Sequence, residues 1–98
     1  MFVVSLTYVA PLDAVDALIP AHVEWLKSHY AAGHFVASGR KVPRTGGVIL
    51  ARGLSREALD AVLMNDPFAL AGVARYDVTE FIPTLTATEL SVIQETLP

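Results

Sequence analysis

Hydrophobic residues along this chain recur at two periods, and the order in which the periods change admits few folds. Phe2, Val4, Leu6 and Tyr8 share one face of a first strand, with Val3, Ser5, Thr7 and Val9 on the other. Both faces are apolar or small, which suits a strand in the middle of a sheet; Pro11 ends it. From Leu12 the spacing turns helical, with apolar residues at 12, 15, 18 and 19 and Asp13 as a candidate cap. Pro20 lacks an N–H and clashes with the preceding turn, so a short helical turn is expected first, then a main helix from about Pro20 to Ala32. Val23, Leu26 and Tyr30 form its stripe, flanked by Trp25, and Gly33 fits a left-handed stop.

A second strand over His34–Ser38 and a third over Val48–Ala51 flank Gly39–Gly47, a loop that holds Arg40, Lys41 and Arg44; together they read as a hairpin. Ser55 caps a second helix from Arg56 to about Asn65, with Glu57 in its first turn and Leu54 and Leu59 at staple spacing. Leu59, Val62 and Leu63 supply its buried face. Val73–Phe81 is the fourth strand, closed by Pro83. Thr86-Ala87-Thr88-Glu89 is a capping box, and Leu90, Ile93 and Leu97 make the stripe of a terminal helix of about three turns. The order β-α-β-β-α-β is the ferredoxin-like α+β pattern, an antiparallel four-stranded sheet with both helices on one face. Residues 1–83 form that domain and 84–98 a helical extension, expected to pack on its own or a neighbouring subunit.

Ninety-eight residues make one domain. The chain is 53% hydrophobic and only 17% charged. That surplus of apolar side chains on a small domain predicts a covered intermolecular face, and a second sheet is the natural cover for an open one, so a homodimer or higher oligomer is expected. A net charge of −3 gives no field to attract nucleic acid or an anionic membrane. The absence of cysteine removes disulfides, thiolate metal sites and thiol catalysis. No apolar run approaches the roughly 20 residues of a membrane span, and Met1–Tyr8 alternates like a strand rather than a leader, so a cytoplasmic location is the default expectation.

Few residues carry chemistry. In Leu63–Gly72, Asp66 before Pro67 reads as the N-cap of a short second helical turn. His22, His29 and His34 lack the i, i+4 pairing of a helical zinc motif, and no metal site is expected. No nucleophile elbow, phosphate loop or dinucleotide fingerprint is present. Arg40, Lys41 and Arg44 suit either a carboxylated substrate or a solvated hairpin, and Tyr8, Trp25, Phe68 and Tyr76 suit either a pocket or plain core.

Pro20-Ala21-His22, Gly33-His34-Phe35-Val36-Ala37-Ser38-Gly39, and Asn65-Asp66-Pro67-Phe68 with Ala71-Gly72, in this order and spacing, resemble the YCII-related (YciI-like) family from Met1 to about Pro83. The resemblance implies a dimeric α/β barrel of ferredoxin-like protomers, with a His–Asp pair in a cleft that maps onto His22 and Asp66. The carboxylate would orient the imidazole and fix its tautomer, and His22 would act as general base or acid on a small organic molecule. One oxygen of Asp66 would cap the helix while the other accepts from the imidazole. Ser38 would hydrogen-bond a substrate oxygen; Tyr8 and Phe68, from the pocket candidates named above, are the aromatic residues expected to bind the substrate with it. Lyase, isomerase and dehydrochlorinase chemistry on cyclic or aromatic compounds is implied, and proton transfer of that kind needs no cofactor. Many relatives carry Arg three residues before the His; here that residue is Ile19, so if that Arg binds a substrate anion in the relatives, the resemblance implies a different or less charged ligand for this chain. A non-catalytic dimeric module that binds a small molecule or assists a partner, with the pair kept as a structural hydrogen bond, is the second reading.

Overall fold

Strand β1 (Phe2–Tyr8) pairs antiparallel on both sides, with β3 (Gly46–Ala51) and β4 (Ala74–Glu80), and β2 (Phe35–Arg40) extends the sheet beyond β3. These relations come from a computed structural model that describes all 98 residues. The order β2-β3-β1-β4 is that of the ferredoxin-like pattern, and the strand with two apolar faces sits inside the sheet. One face of β1, through Phe2, Val4 and Leu6, joins a single core with Val15, Trp25, Leu59, Leu63 and Phe68. Those residues come from α1 (Leu12–Asp16), α2 (Ile19–Ala31), α3 (Arg56–Met64) and α4 (Pro67–Leu70), so all the helices lie on that face. Leu59 has no exposure, and complete burial of a side chain of its size contributes roughly 2–3 kcal/mol.

Local signals explain most of the boundaries. Ser55 accepts from the Ala58 N–H at 3.0 Å and starts α3 as a side-chain cap. Gly33, at φ +81°, turns the chain out of α2 in the left-handed region that glycine alone enters without strain. The β2 edge holds a feature that alternation alone does not predict. Phe35 pairs with Ala51 and Ala37 with Leu50, so Val36 is an extra, bulged residue. Beyond it, Ser38 pairs with Ile49 and Arg40 with Gly47, on the same face as Phe35. The bulge therefore turns Ser38 and Arg40 toward the helices instead of away from them.

Several expectations are corrected. The hairpin strands run two residues further into the loop on each side, to Arg40 and from Gly46. Asp13 does not cap α1: Pro11 holds the cap position and Asp13 bonds only to the neighbouring Ala14 N–H. Trp25, not the Val23–Leu26–Tyr30 row, anchors α2 in the core; Val23 and Leu26 are half-buried along a cavity and Tyr30 is exposed. The terminal α-helix is absent. In its place Thr88–Ile93 forms a 3₁₀ segment with Ala87 at its start and no side-chain cap, while Thr86 bonds to Gln94. So short a helix is marginal without a packed face, and here the tail is held by isolated contacts. Arg52 donates to the Val92 carbonyl at 3.0 Å and the Met1 ammonium meets Glu95 at 3.3 Å, while Leu90, Val92 and Leu97 stay exposed.

Candidate active site

Pro67 at the first position of α4 forces Asp66 out of the helical region, to φ −61°, ψ 129°, and there the carboxylate can turn back on the helix. Its Oδ1 accepts from the Phe68 N–H at 3.0 Å, a normal cap. The same Oδ1 also meets His22 Nδ1 at 2.7 Å, and Oδ2 accepts from the Tyr76 hydroxyl at 2.5 Å. The carboxylate thus caps and binds the imidazole with one oxygen, not with two as the sequence suggested, and the second oxygen goes to Tyr76. Asp66 is wholly buried, and three donors compensate a charge that would otherwise be costly there. Burial first, and then the bond to Asp66 and its charge, hold the Tyr76 phenol far above its ordinary value, so Tyr76 remains a donor.

His22 stands in the first turns of α2, where Pro20 needs no N–H partner. Its ring lies parallel to Phe68, with centroids 4.0 Å apart and planes at 9°, and against Trp25 at 5.5 Å. An ionised carboxylate only accepts, so Nδ1 carries the hydrogen toward Asp66 and Nε2 keeps its lone pair. The ring is a wall of a cavity of about 230 Å³ between α2 and the β1–β3–β2 part of the sheet. Ile19, Val23 and Leu26 line one side, and Tyr8, Ser38 and Arg40 stand elsewhere on the wall. Of the residues singled out in the sequence, His22, Ser38, Tyr8 and Phe68 meet at this cavity, and Asp66 is behind His22, out of its reach.

Ser38 Oγ is hydrogen-bonded to the Tyr30 hydroxyl at 2.7 Å, which ties β2 to α2. Tyr8 packs edge-on to Phe68 at 5.9 Å. His29 and His34 face each other through their Nδ1 atoms at 3.2 Å, outside the cavity lining. Burial first, then the charge of His34, lowers the His29 pKa from its ordinary value. No group of three or more His, Cys, Asp or Glu side chains is placed to hold a metal ion.

The family model for the YCII-related domain matches residues 1–82. The chain belongs to the YCII-related family. Among solved structures, this YCII-related protein is similar to 5-chloro-2-hydroxyhydroquinone dehydrochlorinase (TftG) from Burkholderia phenoliruptrix AC1100, solved in complex with 2,5-dihydroxybenzoquinone. The two are 19% identical, the likeness covers 83% of this chain and 93% of that one, and the TM-score is 0.69. At that identity the likeness establishes the fold. No curated protein matches the chain. No helix of this YCII-related protein is long and apolar enough to cross a membrane.

Two residues stand at the site in places that the sequence left open between alternatives. Tyr76 reads as half of an alternating strand, and only the length of α4 brings its hydroxyl back over the ten residues to Asp66. Arg40 reads as part of a basic loop, and only the bulge at Val36 aims it at the cavity.

Proposed function

We propose that this YCII-related protein is a cofactor-independent enzyme that moves a proton on a small cyclic or aromatic molecule. His22 Nε2 acts as general base and then as acid, and Asp66 holds the ring in the required tautomer. One observation carries this reading: the imidazole bound at 2.7 Å to a fully buried carboxylate also forms the wall of a ring-sized cavity. A cavity of about 150 Å³ already admits benzene, so about 230 Å³ accommodates a substituted ring. In a lyase- or dehydrochlorinase-like step Nε2 accepts a proton from the ring or its hydroxyl. The electron pair moves into the ring, the leaving group departs, and the imidazolium stays paired with Asp66. The structural neighbour is named a dehydrochlorinase, and loss of HCl from a ring calls for such a base. Ser38, Tyr8 and Phe68 position the ring. The working unit in this reading is a homodimer built on the sheet face away from the helices.

A thermal-shift screen of small aromatic and lactone ligands on the wild type and His22→Ala finds the ligand class, and turnover assays on the hits then test the chemistry. Loss of a general acid/base costs about 10²–10⁴-fold, so turnover in His22→Ala within a few-fold of wild type rejects the assignment. The second reading, a binding module with a structural His–Asp bond, is favoured by the capping that Asp66 performs on α4. Hits that bind wild type and His22→Ala equally, with no turnover by either, would select it.

A further inference from the structure

The β2–β3 hairpin carries three cations, and two of them are occupied. Lys41 Nζ donates to Thr7 Oγ1 at 3.3 Å. Arg44 is hydrogen-bonded to Asp16 and lies over the Tyr8 ring, 5.9 Å from its centroid. The Arg44 hydrogen bond first, with the charge of Arg40 a lesser cause, lowers the Asp16 pKa, and only Arg44 bonds to that carboxylate. Arg40 forms no ion pair and no side-chain hydrogen bond of its own.

The register shows why that free guanidinium belongs to the cavity rather than to bulk solvent alone. Arg40 lies opposite Gly47, and Gly47 lies opposite Leu6. Gly47 puts no side chain between them, so the floor of the cavity is open from the buried Leu6 to the strand edge where Arg40 stands. Ser38, one pleat repeat from Arg40 on the same face, adds a hydroxyl already tethered by Tyr30. An unpaired guanidinium and a tethered hydroxyl on one wall, with apolar rows and an imidazole on the others, is a recognition pattern for a ring with one charged oxygen.

We propose that Arg40 and Ser38 form an anion-binding end of this cavity, and that the ligand is a small ring carrying an anionic oxygen, either a carboxylate or an ionised ring hydroxyl. The assignment rests on the proton-transfer reading only in taking the same cavity as the substrate site, and it deepens that reading by naming the charge of the substrate. Arg40 holds the anionic oxygen at the sheet edge and leaves the rest of the ring against His22.

Calorimetric titration with matched probes tests it. One pair is 4-hydroxybenzoate and 4-hydroxybenzamide, for the carboxylate; the other is 2,5-dihydroxybenzoquinone and its neutral dimethyl ether, for the ionised hydroxyl. In the wild type at least one anion binds about ten-fold or more tightly than its neutral partner. In Arg40→Met that preference shrinks to within about three-fold, because the charge-assisted bond is gone while the apolar contact of the neutral probe is kept. Salt narrows the wild-type preference and leaves that of Arg40→Met unchanged. Arg40 is exposed at the edge strand, and far-UV dichroism verifies that the variant is folded. Equal binding of anion and neutral by the wild type, a preference that survives in Arg40→Met, or no binding of either anion overturns the proposal. His22→Asn separates the two readings. An intact anion preference in a variant whose turnover is also intact removes His22 from catalysis and leaves the anion site standing.

Discussion

Tyr76 determines how firmly Asp66 can hold His22. The buried carboxylate has three donors, and the one on Oδ2 comes from Tyr76 alone. Tyr76→Phe removes it and leaves a charged oxygen without a partner in the core. A buried group stripped of its bond costs about 1–3 kcal/mol, more when charged, so the variant should lose about 2 kcal/mol in urea unfolding. Tyr76 does not line the cavity, so in the proton-transfer reading kcat falls while KM for a hit stays within about two-fold. An unchanged unfolding midpoint would mean that water replaces the phenol; an unchanged kcat would mean that Oδ2 has no part in orienting the imidazole. At this scale the sequence was informative about Asp66 because an Asp-Pro pair has a local mechanism, the cap. It left Tyr76 open between pocket and core with no link to Asp66, and it divided the two oxygens differently, because both depend on where α4 leaves the chain rather than on any local rule.

At the scale of elements, the cavity exists because β2 and β3 each break a pattern. The bulge at Val36 reverses which side chains face the helices, and Gly47 omits a side chain where an inward-facing one is due. Gly47→Val should therefore fill the floor. The new Cβ would come within 3.0 Å of the Gly39 carbonyl oxygen, so the edge strand must give by a few tenths of an ångström. Val favours strands, which offsets part of that strain. The expected outcome is a folded protein by far-UV dichroism whose affinity for ring ligands has dropped at least ten-fold; retained affinity would place the binding site elsewhere. The element order, the central position of β1, the Ser55 cap and the Gly33 stop were all legible, since each follows from periodicity or from one residue's backbone preference. The bulge was not, because an extra residue in a short apolar strand leaves no mark on its composition. The tail departs from its sequence pattern for a related reason: a capping box and a stripe describe a helix that would form if it had a surface to pack on. Of that stripe only Ile93 is half-buried, while Leu90 and Leu97 stay exposed.

For the molecule as a whole, part of the surplus of apolar residues lies on the sheet face that no helix covers. The register puts Ala37, Leu50 and Val3 in one row across that face, ended by Thr79, and Val48 in the next beside Ser5 and Asp77. Near the chain end Phe81 and Ile82 are each about 40% exposed. A stable interface buries about 600–1,000 Å² per protomer, which is within reach of a chain that exposes 5920 Å² alone. In the reading proposed above, this face meets its copy, and sedimentation at micromolar concentration should give twice the 10.5 kDa chain mass. Leu50 sits in the middle of the row, so Leu50→Glu places two uncompensated charges at the centre of the contact. Each costs several kcal/mol to bury, enough to shift the protein to monomer without touching the helix-side core. A wild type that sediments as a monomer would refute the dimer, and a Leu50→Glu protein that stays dimeric would move the interface to another surface. The sheet also separates the two faces: the interface is proposed on one, and His22, Ser38 and Arg40 line the cavity on the other. The monomeric variant should therefore bind ring ligands within about three-fold of wild type; a larger loss would mean that the cavity is complete only when the second protomer is present.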